Sequence, residues 1–286
     1  MIQLSSFFLL KSVTAPRYAF FQRCESGSLV NSNMRKIVLF IVIASLIMPS
    51  LPLAHAFAPA FPGLTPAPST HNALIISSLD EFSPMRQQDV ASFTNSLTQA
   101  GYAVTYLKDG AVTLNFLTTQ LNNYEVIIWR TDAYEQAHTT YWYIGQQDSQ
   151  GIEQAYTSDL ASGSLDSSHG IVGAGVEFFS NHFTTNTLPN VKLMIIVSSM
   201  SAFIASSFLN SGVKAIIDFS GVINLQFNWV DYLTTIVVEY LADGLSVSDA
   251  IDATYSPFLT MILHDPLDTM YIPPVSYAGD SALKIV

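Results

Sequence analysis

Leu193-Met-Ile-Ile-Val197-Ser-Ser-Met-Ser201 and Ser211-Gly-Val-Lys-Ala-Ile-Ile-Asp-Phe-Ser-Gly221 each hold a short, continuous apolar run that ends in polar or small residues. A run without alternation is the pattern of a strand buried on both faces. Between the two runs, Ser198-Ser199 opens a helix that passes through Phe203 and Phe208 and stops at Gly212. Strand, helix and strand in that order require a crossover, so the strands Leu193–Val197 and Lys214–Asp218 are parallel and covered by helices.

The same rhythm extends upstream. Ala73–Ser77, Tyr102–Tyr106 and Glu125–Trp129 read as strands. Between the first two, Ser83-Pro84 supplies a cap and a first helical residue, Val90, Phe93, Leu97 and Ala100 line one face, and Gly101 ends the helix. Val112 to Leu121 is a short helix or turn. Residues 131–170 have weak periodicity and read as an insertion with one helix or a hairpin.

Downstream, Val230, Leu233, Val237, Tyr240 and Leu241 share a helical face that closes at Gly244. Ser246-x-x-Asp249 is a capping-type start for a helix running towards Tyr255 and stopped before Pro257. Leu283–Val286 reads as a last strand. Residues 73–286 are therefore predicted to form one three-layer α/β domain, with a mainly parallel central sheet of about six strands and helices on both faces.

Ahead of that domain, Met34-Arg35-Lys36, the apolar stretch Ile37–Met48, the break Pro49–Pro52 and Ala54-His55-Ala56 form a signal peptide over 34–56. The alternative is an uncleaved anchor, although the apolar core is short of the roughly 20 residues a span needs. Residues 1–33 precede the signal, so translation is expected to start at Met34. Residues 57–72 hold Pro59, Pro62, Pro66 and Pro68 and read as a linker. The expected address is secreted, or membrane-tethered if the signal stays.

Five of the 11 basic residues but only one of the 22 acidic ones precede residue 57. The remainder holds 6 Lys/Arg against 21 Asp/Glu, a net charge of −15. Such a surface repels nucleic acid and anionic membranes. The single cysteine, Cys24, also lies upstream, so the exported part has neither thiol nor disulfide.

In an open parallel sheet, ligands gather beyond the carboxyl ends of central strands. That directs attention to Arg130-Thr131-Asp132 and Ser198–Ser201. Three stretches here resemble the caspase-like superfamily, in particular its gingipain and CHAT-type branches. Ile195–Ser201 is similar to the strand and turn that present the family's cysteine. Ser211–Gly221, followed by a long helix and Gly244-Leu-Ser-Val-Ser-Asp-Ala-Ile251, is similar to the next strand and its sequel. Tyr277-Ala-Gly-Asp-Ser-Ala-Leu-Lys-Ile285 is similar to the closing strand.

The resemblance implies a catalytic histidine after the third strand and a cysteine after the fourth. Those positions hold Asp132 and Met200. A carboxylate does not replace imidazole in activating a thiol, and a thioether has no proton to lose. The expected function is therefore that of a catalytically degenerate peptidase-like domain binding an extracellular peptide or protein. The alternative is an active hydrolase using Ser199 or Ser201, with His169 or His182 as base.

A third reading is a structural assembly component. Asp132, His138 and Asp148 lack metal-ligand spacing, and no metal or cofactor is expected. Tyr141-Trp142-Tyr143 stacks on a ligand or, the safer reading, packs the insertion. Arg130 pairs with Asp132 or Asp80 to hold the cleft together, or binds a carboxylate ligand; the pairing is favoured.

Overall fold

The structure, a computed structural model, describes residues 71–148, 150–219, 227–264 and 275–286, all within a compact unit spanning Thr65–Val286. The readings for 1–33, for 34–56 and for the linker up to residue 70 lie outside the described residues.

The elements, in chain order, are β1 (His71–Ser77), α1 (Gln87–Gln99), β2 (Tyr102–Lys108), α2 (Leu114–Gln120), β3 (Val126–Arg130), β4 (Ala133–Gln136) and β5 (Thr139–Gln147). Then come α3 (Gln150–Ala155), α4 (Thr157–Ser162), β6 (Leu165–Asp166), β7 (Ile171–Gly175), α5 (Val176–His182) and β8 (Leu193–Val197). The chain closes with α6 (Ala202–Asn210), β9 (Ala215–Phe219), α7 (Phe227–Ala242), α8 (Val247–His264) and β10 (Val275–Gly279).

The main sheet has the order β10-β9-β8-β3-β1-β2. All its pairs are parallel except β10 with β9. Every residue of β3, β8 and β9 is buried, as continuous apolar runs require.

Alternate residues of these strands point to opposite faces. Ile76, Ile127, Trp129, Met194, Ile196 and Ile216 join one core with residues of α2, α5 and α6. Ile75, Val126, Ile128, Leu193, Ile195 and Ile217 join another with residues of α1, α7 and α8. The three-layer, six-stranded α/β architecture expected from the sequence is thus present.

Five local expectations are corrected. The linker ends two residues early, because His71 and Asn72 pair with Tyr102 and Ala103 in β1 and β2. The helix expected at Ser83-Pro84 starts instead at Gln87. Asp80 takes the hydroxyl of Ser77 and the backbone N–H of Met85, which holds the preceding segment in a turn. Ser198-Ser199 does not open α6, which begins at Ala202 after a tight turn.

The fourth concerns the helix expected to stop before Pro257. It continues to His264, through Pro257, which has no N–H to donate to the carbonyl of Ala253. Finally, the tail Leu283–Val286 is not a strand, and the last strand is Val275–Gly279. The tail spends its carbonyls elsewhere: Leu283 accepts from the N–H of Val247, and Ile285 accepts from the Tyr102 hydroxyl at 2.8 Å.

Residues 131–170 hold the hairpin that was one of the two expected alternatives, β4 with β5, and go beyond it to form most of a second, antiparallel sheet of order β4-β5-β7-β6. Its hairpin pairs Gln136 with Thr139 across Ala137 and His138, at φ 50° and 69°. Both turn residues are left-handed, which suits a two-residue hairpin, but neither is the glycine or asparagine that signals one.

Candidate functional site

The candidate site is built on the carboxyl ends of β3 and β8, which neighbour each other in the sheet. Beyond them the N–H of Thr131 donates to the carbonyl of Val197 at 3.0 Å, so the two strand ends stay joined. The second sheet is fastened onto this edge. The Thr131 hydroxyl donates to the carbonyl of Tyr143 at 2.6 Å, the N–H of Tyr143 donates to the carbonyl of Asp132, and Trp142 Nε1 donates to the carbonyl of Ser199 at 3.2 Å. Trp142 is fully buried and Tyr141 is buried beside it, so this aromatic triplet mainly packs the interior.

Asp132 and Ser199 meet here. The half-buried Asp132 carboxylate accepts from the N–H of Ala133 at 2.8 Å and from the Ser199 side chain. Burial raises its pKa above the ordinary 3.8, against the opposing pull of those hydrogen bonds and of the Arg130 charge. A carboxyl whose folded pKa is raised contributes stability that is present at low pH and lost as pH rises through the folded value. Thermal melts should therefore show a decline from about pH 4 upwards that is shallower in Asp132→Asn.

Met200 sits in the same turn at φ 56°, partly buried against the core. Left-handed geometry at a residue with a Cβ costs on the order of 1 kcal/mol and persists only where the surroundings impose it. Ser201 explains part of that imposition. Its fully buried hydroxyl lies 3.1 Å from the carbonyl of Ile196 and 3.2 Å from that of Phe219, and accepts from the N–H of Phe219 at 2.7 Å. It stitches β8 to β9.

The histidines are engaged elsewhere. His169 Nε2 pairs with Gln136 at 3.0 Å, stands 4.0 Å from Asp166, and meets the Tyr134 ring edge-on. His182, at the end of α5, contacts both oxygens of Asp159 at 3.2 Å and lies against Phe178. His138 occupies the hairpin turn, and Asp148 donates its N–H to Gly170. Among the described residues no three metal-ligating side chains cluster.

Arg130 corrects the expected pairing. Its guanidinium, 2% exposed, binds Asp231 of α7 at 3.0 Å rather than Asp132 or Asp80, and also donates to the carbonyl and hydroxyl of Ser83. Asp80 instead faces Lys108 at 3.5 Å. Asp231 escaped the sequence reading because it adjoins Val230 in an apolar helix, where one acid reads as a solvated position. Its distance of 101 positions from Arg130 left no spacing to follow.

No protein-family model matches this chain, and no curated protein matches it. Among solved structures it is similar to the crystal structure of the Drosophila initiator caspase Dronc, at 10% sequence identity and a TM-score of 0.43, over 76% of this chain and 83% of that one. Among the described residues no helix is long and apolar enough to cross a membrane.

Proposed function

We propose that this chain is an exported, caspase-like domain of the gingipain or CHAT type whose peptidase chemistry is lost and whose carboxyl edge binds an extracellular peptide or protein segment. One observation carries the reading. At the joined ends of β3 and β8, where the resemblance expects imidazole and thiol, Asp132 holds the Ser199 side chain and Met200 fills the turn. Neither residue can generate a thiolate or accept a proton as imidazole does.

The serine alternative is weakened by the same geometry. The Ser201 hydroxyl is committed to backbone groups on β8 and β9, and His169 and His182 are held by Gln136 and Asp159. What supports binding is a rigid edge, pinned by the second sheet, with a partly exposed thioether and a carboxyl group. Methionine adapts to varied apolar side chains.

The test uses the full chain. Peptides selected from a random library are resynthesised, and their affinity is measured for the wild type and for Met200→Arg. Saturable binding weakened at least tenfold (about 1.4 kcal/mol) by the arginine is expected, together with no labelling by a fluorophosphonate. Stoichiometric modification of Ser199 or Ser201 overturns the degenerate reading; unchanged affinity in Met200→Arg overturns the placement of the peptide.

A further inference from the structure

The opposite edge of the sheet, where the strands begin, holds a different chemistry. The segments entering β1, β3, β8 and β9 and the C-terminal tail converge on a cavity of about 860 Å³. Asn122, Glu125, Asn190, Lys192, Lys214 and Lys284 are among the residues lining it.

Cations are scarce in this chain. Beyond residue 56 they are Arg86, Lys108, Arg130, Lys192, Lys214 and Lys284, set against 21 carboxylates. Four have acidic partners: Arg86 with Asp89, Lys108 with Asp80, Arg130 with Asp231 and Lys192 with Glu125. Lys214 and Lys284 have no acidic partner among the described residues. With acids in such excess, two lysines left without one are a departure, and both line this cavity.

Backbone hydrogen bonds hold the segments that carry them. The N–H of Ala215 donates to the carbonyl of Lys192 at 3.0 Å, which sets Lys214 beside the Lys192 segment. The N–H of Asp280 donates to the carbonyl of Lys214 at 2.8 Å, and the carbonyl of Ile285 is held by Tyr102, which fixes the tail that carries Lys284. Glu125 does not cancel the pair, because its carboxylate is already matched by Lys192 and His71, each at 2.7 Å.

We propose that this cavity is a binding site for a small multivalent anion, an organic molecule or ion carrying two or more carboxylate or phosphate groups, held by Lys214 and Lys284 with Lys192 at its flank. The volume suits a small organic ligand. At physiological ionic strength the screening length is about 8 Å, so the site's own ammonium groups outweigh the more distant acids of the surface. Two separated ammonium groups favour a ligand with two anionic groups over a monovalent one. The site lies at the opposite edge from Asp132 and Met200, so the proposal stands apart from the peptide-binding reading.

Thermal denaturation of the full chain, titrated with citrate and separately with tripolyphosphate against sodium chloride of equal ionic strength, tests it. A saturable rise in Tm with at least one of the two anions is expected, and which one responds tells carboxylate from phosphate. In the double variant Lys214→Gln/Lys284→Gln the midpoint should rise at least tenfold. The ligand-free Tm should not change, since both side chains are exposed. Lys108→Gln, which removes a charge paired elsewhere, should leave the midpoint alone. A rise that follows ionic strength only, no rise with either anion, an unaltered midpoint in the double variant, or an equal weakening in Lys108→Gln overturns the proposal.

Discussion

Arg130→Met is expected to lower stability by about 3–5 kcal/mol, read as a shift of the urea unfolding midpoint. The methionine fills similar space, so the loss comes from electrostatics rather than from a cavity. It leaves Asp231, 1% exposed, without the guanidinium that faces it, and strands the carbonyl of Ser83 as well. Burial already holds the Asp231 pKa up at about 6 despite Arg130.

Removing both charges in Arg130→Met/Asp231→Leu should recover most of the loss, since a buried ion pair replaced by apolar groups is often neutral. The sign of the pH dependence gives a second readout. Asp231 is raised from 3.8 to about 6, so the wild type loses stability as pH rises across that window, and the double variant should show a shallower decline. A single-variant cost below about 1 kcal/mol would mean that the pair is not what fixes the end of β3.

Gly145→Ala is expected to cost about 2–4 kcal/mol, the sum of a left-handed backbone and a steric clash. Gly145 lies in β5 at φ 97°, and an added Cβ would stand 2.5 Å from the carbonyl oxygen of Asp109 and 3.0 Å from that of Ser78. Both obstacles are backbone, so no side chain can swing aside. The close approach seats the second sheet against the turns after β1 and β2, on the same side of the main sheet as Asp132. Gly110→Ala is the control, because a Cβ there meets nothing within 4 Å. Equal losses in the two variants would remove the steric account. If Gly145→Ala also weakens peptide binding, the two sheets act as one platform.

Burial explains which parts of this fold were legible. Strands shielded on both faces are mostly apolar, so Ala73–Ser77, Glu125–Trp129, Leu193–Val197 and Lys214–Asp218 are legible, with their parallel pairing, to within a residue or two of their ends. The strand Tyr102–Tyr106, less buried, was found between a glycine stop and a turn. Glycines with positive φ, such as Gly101 and Gly244, marked helix ends correctly. The second sheet was hidden because its hairpin turns through Ala137 and His138, residues that tolerate left-handed geometry only when the surrounding pairing imposes it. The strand Val275–Gly279 lies at the sheet edge with none of its residues buried, and so lacks an apolar run.

The amino-acid order alone determined the layer architecture, the acidic charge balance and the absence of a thiol after residue 56, and it put Asp132 and Met200 at the positions where the resemblance implies imidazole and thiol. All of these follow from local composition and periodicity, or from a motif resemblance, none of which needs coordinates. Only the tertiary structure decided that Arg130 answers Asp231, that Ser199 rests on Asp132, and that Lys214 and Lys284 share a cavity. Those pairings join residues some 65 to 100 positions apart, brought together by strand register and helix packing, and no spacing rule along a chain encodes distance across a fold.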